Sequence, residues 1–313
     1  MNPPAISIGL PVFNGENRIG KALDSILNQD FQDFEVVICD NASTDNTRSI
    51  CLDYAQSDGR VRYFRNETNI GVNPNHDRVF HLSKGKYFAW FADDLEYLPG
   101  MLSRCFQAIK SAPPSVVLVY SKCDMIFDGQ SVGAERGSFE TRGHTPQERL
   151  KALIRHATMV NQFFGLAKRE ILAKTQLNGR YASSDYVLLA ELAMLGELWE
   201  LPEVLIRRQV DSNRGTAAVH RDQKAWNAWS GAGTAGFKDA WLSNRERLAL
   251  EYLLAAWRSP IQPMKKLKCL LCILPIYYSR TSPAANFALK LARPWRWVDL
   301  RHSRAMHSTN SIT

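Results

Sequence analysis

The chain of 313 residues has no apolar run long enough to cross a bilayer, which takes about 20 residues. Its most apolar stretch, Leu267–Tyr278, contains Lys268 and Pro275. No basic segment followed by an apolar one opens the chain, and strand-like sequence begins at Ala5, so no secretory signal is expected. There is no internal repeat, which sets aside solenoid and propeller architectures. Cysteine is scarce and unpatterned: Cys39, Cys51, Cys105, Cys123, Cys269 and Cys272. Without a signal they are expected as reduced thiols. Cys269 and Cys272 have CxxC spacing, but no second pair or nearby histidine completes a zinc site, and their apolar neighbours make them small apolar residues. No nucleic-acid-binding module is recognisable, so nucleic acid is not an expected partner.

Charge is absent from most of the chain in net terms. The whole excess of +8 lies in residues 251–313, where ten Lys and Arg face only Glu251 and Asp299. The composition is that of an ordinary globular protein, large enough for one large domain or two small ones.

Apolar runs alternate with helical patterns. Ala5–Leu10, Phe34–Cys39, Val61–Arg65, Tyr87–Phe91 and Val116–Tyr120 read as strands. Helices are expected after Asn17, from about Ser43 or Thr44 to Ser57, before Ser83, and after Pro99. Continuous apolar strands between helices predict a mostly parallel α/β sheet covered on both faces. From about Lys122 to Gly143 the pattern fades into a loop or hairpin. Helices are then expected at Pro146–Ala157 and Tyr186–Leu195, and strands at Phe163–Ala167 and Trp199–Arg207. Beyond that the chain reads as helical.

Three polar signatures sit at predicted strand ends: Pro11-Val12-Phe13-Asn14-Gly15-Glu16, Asp40-Asn41-Ala42-Ser43-Thr44-Asp45 and Phe91-Ala92-Asp93-Asp94. Open α/β sheets bind ligands outside the carboxyl ends of their strands, so the three together point to one site for a nucleotide and a metal. Asp93 and Asp94 suit a hard divalent cation that also takes diphosphate oxygens, or else cap the next helix. Asp40 can accept a hydrogen bond from a base N–H or cap the following helix. Asp45 suits a cap or a ribose contact. Phe13 can stack on a nucleobase or belong to the core, and Asn14 and Glu16 can touch the ligand or form a turn.

These motifs, with Asn69-Ile70-Gly71 and Pro99, resemble the successive motifs of family 2 glycosyltransferases with the GT-A fold, densely over about residues 5–120 and more loosely over 160–210. The resemblance implies inverting transfer from a nucleotide-sugar donor, usually a UDP-sugar, with Mg²⁺ or Mn²⁺. It places Pro11, Phe13, Asn14, Glu16, Asp40, Asn69, Asp93 and Arg207 at the donor, and Asp93 with Asp94 at the metal. The first acid of the usual Asp-x-Asp motif is missing, with Phe91 in its place. Asp185, in Tyr181-Ala182-Ser183-Ser184-Asp185-Tyr186, fits the catalytic base or else an ordinary helix cap. Arg207 or Arg208 could meet diphosphate.

The domains expected are residues 1–215, with 1–120 for the nucleotide-sugar and 121–215 for the acceptor, and a helical basic extension at 216–313. That extension mixes Lys265, Lys266 and Lys268 with apolar residues and ends in Arg293-Pro294-Trp295-Arg296-Trp297. It suits an anionic membrane surface, or a helical pair packed on the domain with its basic face solvated. A cytoplasmic enzyme peripheral to the inner membrane face is expected, and the family resemblance implies a glycan or lipid-linked acceptor of bacterial surface polysaccharide synthesis. The alternatives are a non-catalytic nucleotide-binding homologue, or a nucleotidyltransferase, although Gly9-Leu10-Pro11-Val12 is not the Gly-rich loop the latter usually has.

Overall fold

Ile6–Val12 (β1) and Phe34–Asp40 (β2) are almost entirely buried, as continuous apolar strands must be when helices cover both faces. The computed structural model describes residues 3–127, 130–134, 141–157, 160–210, 229–231 and 244–278. Its first half is a run of strand–helix units: β1, α1 (Ile19–Leu27), β2, α2 (Thr47–Ser57), β3 (Val61–Arg65), α3 (Val72–Leu82) and β4 (Tyr87–Trp90). These strands lie side by side in the order β3-β2-β1-β4, all parallel. Helix α1 buries Ile19, Ala22, Leu23 and Ile26, an i, i+3, i+4, i+7 stripe.

The second half is mixed rather than parallel. It comprises β5 (Leu95–Tyr97), α4 (Met101–Ser111), β6 (Val116–Phe127), β7 (Gln130–Ala134), α5 (Pro146–His156), β8 (Leu166–Lys168), α6 (Arg169–Leu172), α7 (Ser184–Leu195) and β9 (Glu197–Val210). Strand β8 sits antiparallel between β4 and β6, β9 runs parallel to β6, and β5 closes the far edge antiparallel to β9. The predicted strand at Phe163–Ala167 splits. Asn161–Phe164 forms a 3₁₀ turn, and only Leu166–Lys168 joins the sheet. Within the faded stretch after Lys122, β6 and β7 pair antiparallel. Helix α5 starts as its sequence demands, with Pro146 in its first turn and the Thr145 N–H donating to Glu148 Oε2 at 2.7 Å.

Helices α8 (Asn244–Arg258) and α9 (Pro263–Tyr278) pack on α5 and α7, so part of the C-terminal extension shares the core of the rest. Tyr252, Ala255 and Ala256 of α8 and Cys269, Ile273 and Ile276 of α9 are buried. All six cysteines are free, as expected. Among the described residues no helix is long and apolar enough to cross a membrane. Arg293–Trp297 lies outside the described residues.

Gly9 in β1 lets α3 lie close to the sheet: a Cβ there would stand 2.6 Å from Val79 Cγ2 and 2.7 Å from Phe88 Cζ. Gly9→Ala is expected to cost about 1–3 kcal/mol by overpacking. Denaturant unfolding would read this as a lower midpoint with an unchanged slope, and an unchanged midpoint would contradict the packing.

Candidate active site

The parallel register sets Val12 beside Asp40, and Trp90 beside Gly9, so the loops after β1, β2 and β4 leave the sheet at one edge. The first two loops are laced together. The Asn14 N–H donates to Ser43 Oγ (2.9 Å), the Gly15 N–H to Thr47 Oγ1 (2.8 Å) and the Glu16 N–H to Asp45 Oδ2 (3.1 Å). In return the Thr44 N–H donates to Asn14 Oδ1 (2.9 Å) and the Asn46 N–H to Glu16 Oε2 (3.0 Å). Asp45 also accepts from the Thr47 N–H at 3.0 Å, just ahead of α2, whose N-cap residue is Asn46. Asn14 and Glu16 thus serve the joint between loops. Phe13 is the large apolar side chain of these loops that stands out into solvent, 44 % exposed.

Asp40 is fully buried. Its carboxylate accepts from the Ser43 N–H (2.8 Å), the Tyr63 hydroxyl (2.7 Å) and the Arg65 guanidinium. Parallel pairing of β2 with β3 sets Arg65 directly beside Asp40. Asn69 is likewise engaged, its Oδ1 accepting from Asn41 Nδ2 (2.8 Å) and the Gly71 N–H (2.9 Å).

After β4 the chain turns through Phe91-Ala92-Asp93-Asp94. Phe91 is buried and stacked on Tyr97 with ring centroids 3.5 Å apart, so its position faces the core and not the strand-end cleft. The acids available are the adjacent pair. Asp93 packs against Gly15, where a Cβ would come within 2.6 Å of its Oδ2, and that oxygen accepts from Arg18 at 2.8 Å. Burial pushes the Asp93 carboxyl up to about 6, with Arg18 opposing and the charge of Asp94 adding to it. The Asp94 side chain is the more open of the two, at 37 % against 16 %.

Antiparallel pairing of β5 with β9 sets Arg207 opposite Glu96 and Arg208 opposite Leu95. Neighbouring strand residues face opposite ways. Arg207 is therefore outside, 3.6 Å from Glu96, whereas Arg208 turns inward, with its Nε 3.9 Å from Asp94 Oδ2 and its NH1 3.3 Å from Asn161 Oδ1. Arg208 is the residue that joins the acidic pair.

Asp185 lies in the first turn of α7, just after Ser183, which holds the left-handed conformation (φ 63°). It is half-buried, and burial pushes its carboxyl up to about 6 against the lowering charge of Arg208. The loop before it is tied to α3. Asn73 Nδ2 donates to the carbonyls of Gly179 (2.7 Å) and Tyr181 (3.0 Å), and the Asn178 N–H donates to Asp77 at 3.0 Å. Asn14 (φ 48°) and Ala42 (φ 63°) also have positive φ. Leu177 (φ 55°), in the loop before α7, is the fourth non-glycine residue in this conformation among those described, and such local strain gathers at functional sites.

No cluster of three acidic, histidine or cysteine side chains able to hold a metal exists among the described residues. Mg²⁺ and Mn²⁺ sites that serve phosphates often take only one or two carboxylates and draw the rest from substrate and water. The adjacent carboxylates fit that use, and the buried Arg18 Nε without a hydrogen-bond partner leaves a donor beside them.

Residues 7–174 match the family described as glycosyl transferase family 2. The GalNAc(5)-diNAcBac-PP-undecaprenol beta-1,3-glucosyltransferase of Campylobacter jejuni is 28 % identical over 191 residues, 60 % of this chain and 60 % of that protein's length. Escherichia coli WcaA, whose name assigns it to glycosyl transfer in colanic acid biosynthesis, is 29 % identical over 205 residues, 64 % of this chain and 71 % of that protein. Among solved structures, S. aureus TarS 1–349 with UDP-GlcNAc aligns with a TM-score of 0.63 at 17 % identity, covering 93 % of this chain and 76 % of that one. The mannosyltransferase PcManGT of Pyrobaculum calidifontis, with GDP-Man and Mn²⁺, aligns at 0.54 and 18 % identity, covering 95 % and 83 %. The fold is the GT-A arrangement, and with more than half of its length matched the chain belongs to glycosyl transferase family 2.

Proposed function

We propose that this chain transfers a glycosyl group, with inversion, from a UDP-linked sugar to a hydroxyl of a glycan or lipid-linked acceptor in bacterial surface polysaccharide synthesis. The observation that carries the reading is one strand-end cleft holding an exposed aromatic, an acidic pair, an inward arginine and a half-buried carboxylate on the acceptor side. A relative named as acting on an undecaprenol-linked glycan and a structural neighbour solved with UDP-GlcNAc support it.

In this reading Phe13 stacks on the base. Asp40 acts through Arg65 and Tyr63, shaping the floor of the base pocket, and Pro11 and Asn69 shape the loops around it. Asp94 and Asp93 are the residues that would hold a divalent cation, whose charge would offset that building on the departing diphosphate. Arg208 adds a second positive charge at the same place, the role Arg207 was expected to fill. Asp185 takes the proton of the acceptor hydroxyl as its oxygen bonds to the anomeric carbon and the bond to the diphosphate oxygen breaks. The nucleoside diphosphate leaves with the electron pair of that bond. The work is placed at the inner membrane face, with the enzyme peripheral and the acceptor anchored in lipid.

Asp185→Asn is expected to bind UDP as the wild type does and to lose transfer by about 10²–10⁴-fold. Calorimetry and a turnover assay would check this, and full activity in the variant would remove Asp185 from the role. A carboxyl at about 6 is protonated below that pH and cannot act as base. At saturating metal and donor, kcat should therefore fall as pH drops through about 6. Arg208→Gln removes the charge that holds this carboxyl down, so its acid limb should move to higher pH. A limb unmoved or shifted downward would contradict the electrostatic link.

A further inference from the structure

Helix α9 is apolar on two opposite faces. Its inner stripe, Cys269, Ile273 and Ile276, is buried against the domain. Its outer stripe, Met264 (64 % exposed), Leu267 (48 %) and Leu271 (66 %), follows i, i+3, i+7 spacing on the other side and faces solvent. Trp257, in the last turn of α8, is 68 % exposed, with Lys266 of α9 5.8 Å from its ring. Four of the seven large apolar side chains that stand exposed among the described residues thus belong to this one helix pair. A surface helix ordinarily keeps its outer face polar. Here the outer face is an apolar ridge bordered by the exposed Lys265 and Lys268, with Lys266 toward Trp257.

We infer that the outer face of α8 and α9 is the surface by which this enzyme lies on an anionic bilayer. Apolar side chains of this size, bordered by lysines and carrying one tryptophan, match the chemistry of an interface that is hydrocarbon below and negatively charged above. Charge complementarity selects a lipid surface over a second copy of this chain, since two such faces would bring lysines against lysines. The inner stripe fixes the geometry: because α9 is packed on α5 and α8 on α7, the helix whose first turn carries Asp185 is held one layer from the bilayer contact. The inference rests on the reading of a membrane-held acceptor and names the part of the chain that meets the membrane.

The test uses the full chain with vesicles of phosphatidylcholine alone and of phosphatidylcholine with phosphatidylglycerol. Two variants are compared with wild type: Met264→Ser/Leu267→Ser/Leu271→Ser, and Lys265→Gln/Lys266→Gln/Lys268→Gln. All six side chains lie outside the proposed catalytic and donor sites, so melting and the UDP-dependent thermal shift should be retained. Wild type should co-sediment with anionic vesicles. The serine variant should bind at least about tenfold more weakly, and the glutamine variant should lose its preference for anionic lipid. If the serine variant binds like wild type, the face assigned here is wrong and the membrane contact lies elsewhere. If wild type binds no vesicles but responds to UDP, the bilayer inference falls while the donor reading stands. A missing UDP response with intact vesicle binding would have the opposite meaning. A wild-type dimer that the serine variant dissolves, without vesicle binding, would assign the ridge to a second copy and overturn the proposal.

Discussion

Two adjacent carboxylates held partly out of water are the constraint on which the rest of this site depends. Like charges at contact distance repel by several kcal/mol in a protein environment, about 4 kcal/mol at 4 Å. Burial compounds this for Asp93, whose carboxyl is pushed up to about 6. Such a pair is tolerable only if cations answer it. The fold brings two: Arg18 from the residue before α1, and Arg208 from the inward side of β9. Both are tied to structure and not to chance rotamers. Arg208 stands where the pairing of β5 with β9 puts it, and Asp93 is packed on Gly15 in the loop that leads to Arg18.

The loops that frame this pair are rigid for a related reason. Carrying a nucleotide at strand ends requires irregular backbone whose polar groups are satisfied without closing the cleft. Here the loops after β1 and β2 satisfy one another, through Asn14, Ser43, Glu16 and Asn46. Asn41 does the same for the loop before α3, its side chain bonding to Asn69, Asn66 and the Ile70 N–H. Asn14, Glu16 and Asn69 of the motifs are thus part of the framework of these loops. On the mixed side of the sheet, α3 clamps the loop ahead of Asp185 through Asn73 and Asp77.

The parallel half of the fold was legible in the sequence because its strands are short apolar runs separated by helical stripes, signals that are local. The placement of Asp93, Asp94 and Asp185 was legible for the same reason: each follows a clear strand or opens a clear helix. What was not legible depends on pairing between distant segments. Arg207 and Arg208 differ only in strand parity, and parity is fixed by the register with Glu96 and Leu95, more than a hundred residues earlier. The claims of Tyr63 and Arg65 on Asp40, and of Arg18 on Asp93, have no local pattern at all. That Phe91, in the place of the motif's first acid, stacks on Tyr97 in the core likewise has no local signal. At the C-terminus, the apolar run of α9 hid two faces that only the packing on α5 separates.

The most direct test of the account is Mn²⁺ binding, measured by electron paramagnetic resonance or calorimetry with and without UDP, in wild type, Asp94→Asn and Asp93→Asn. If the acidic pair is a half-site completed by the donor diphosphate, Mn²⁺ binds weakly alone and at least about tenfold more tightly with UDP, and Asp94→Asn abolishes the gain. Tight Mn²⁺ binding that ignores UDP, or a gain that survives Asp94→Asn, would show that these carboxylates are not the meeting point of metal and donor.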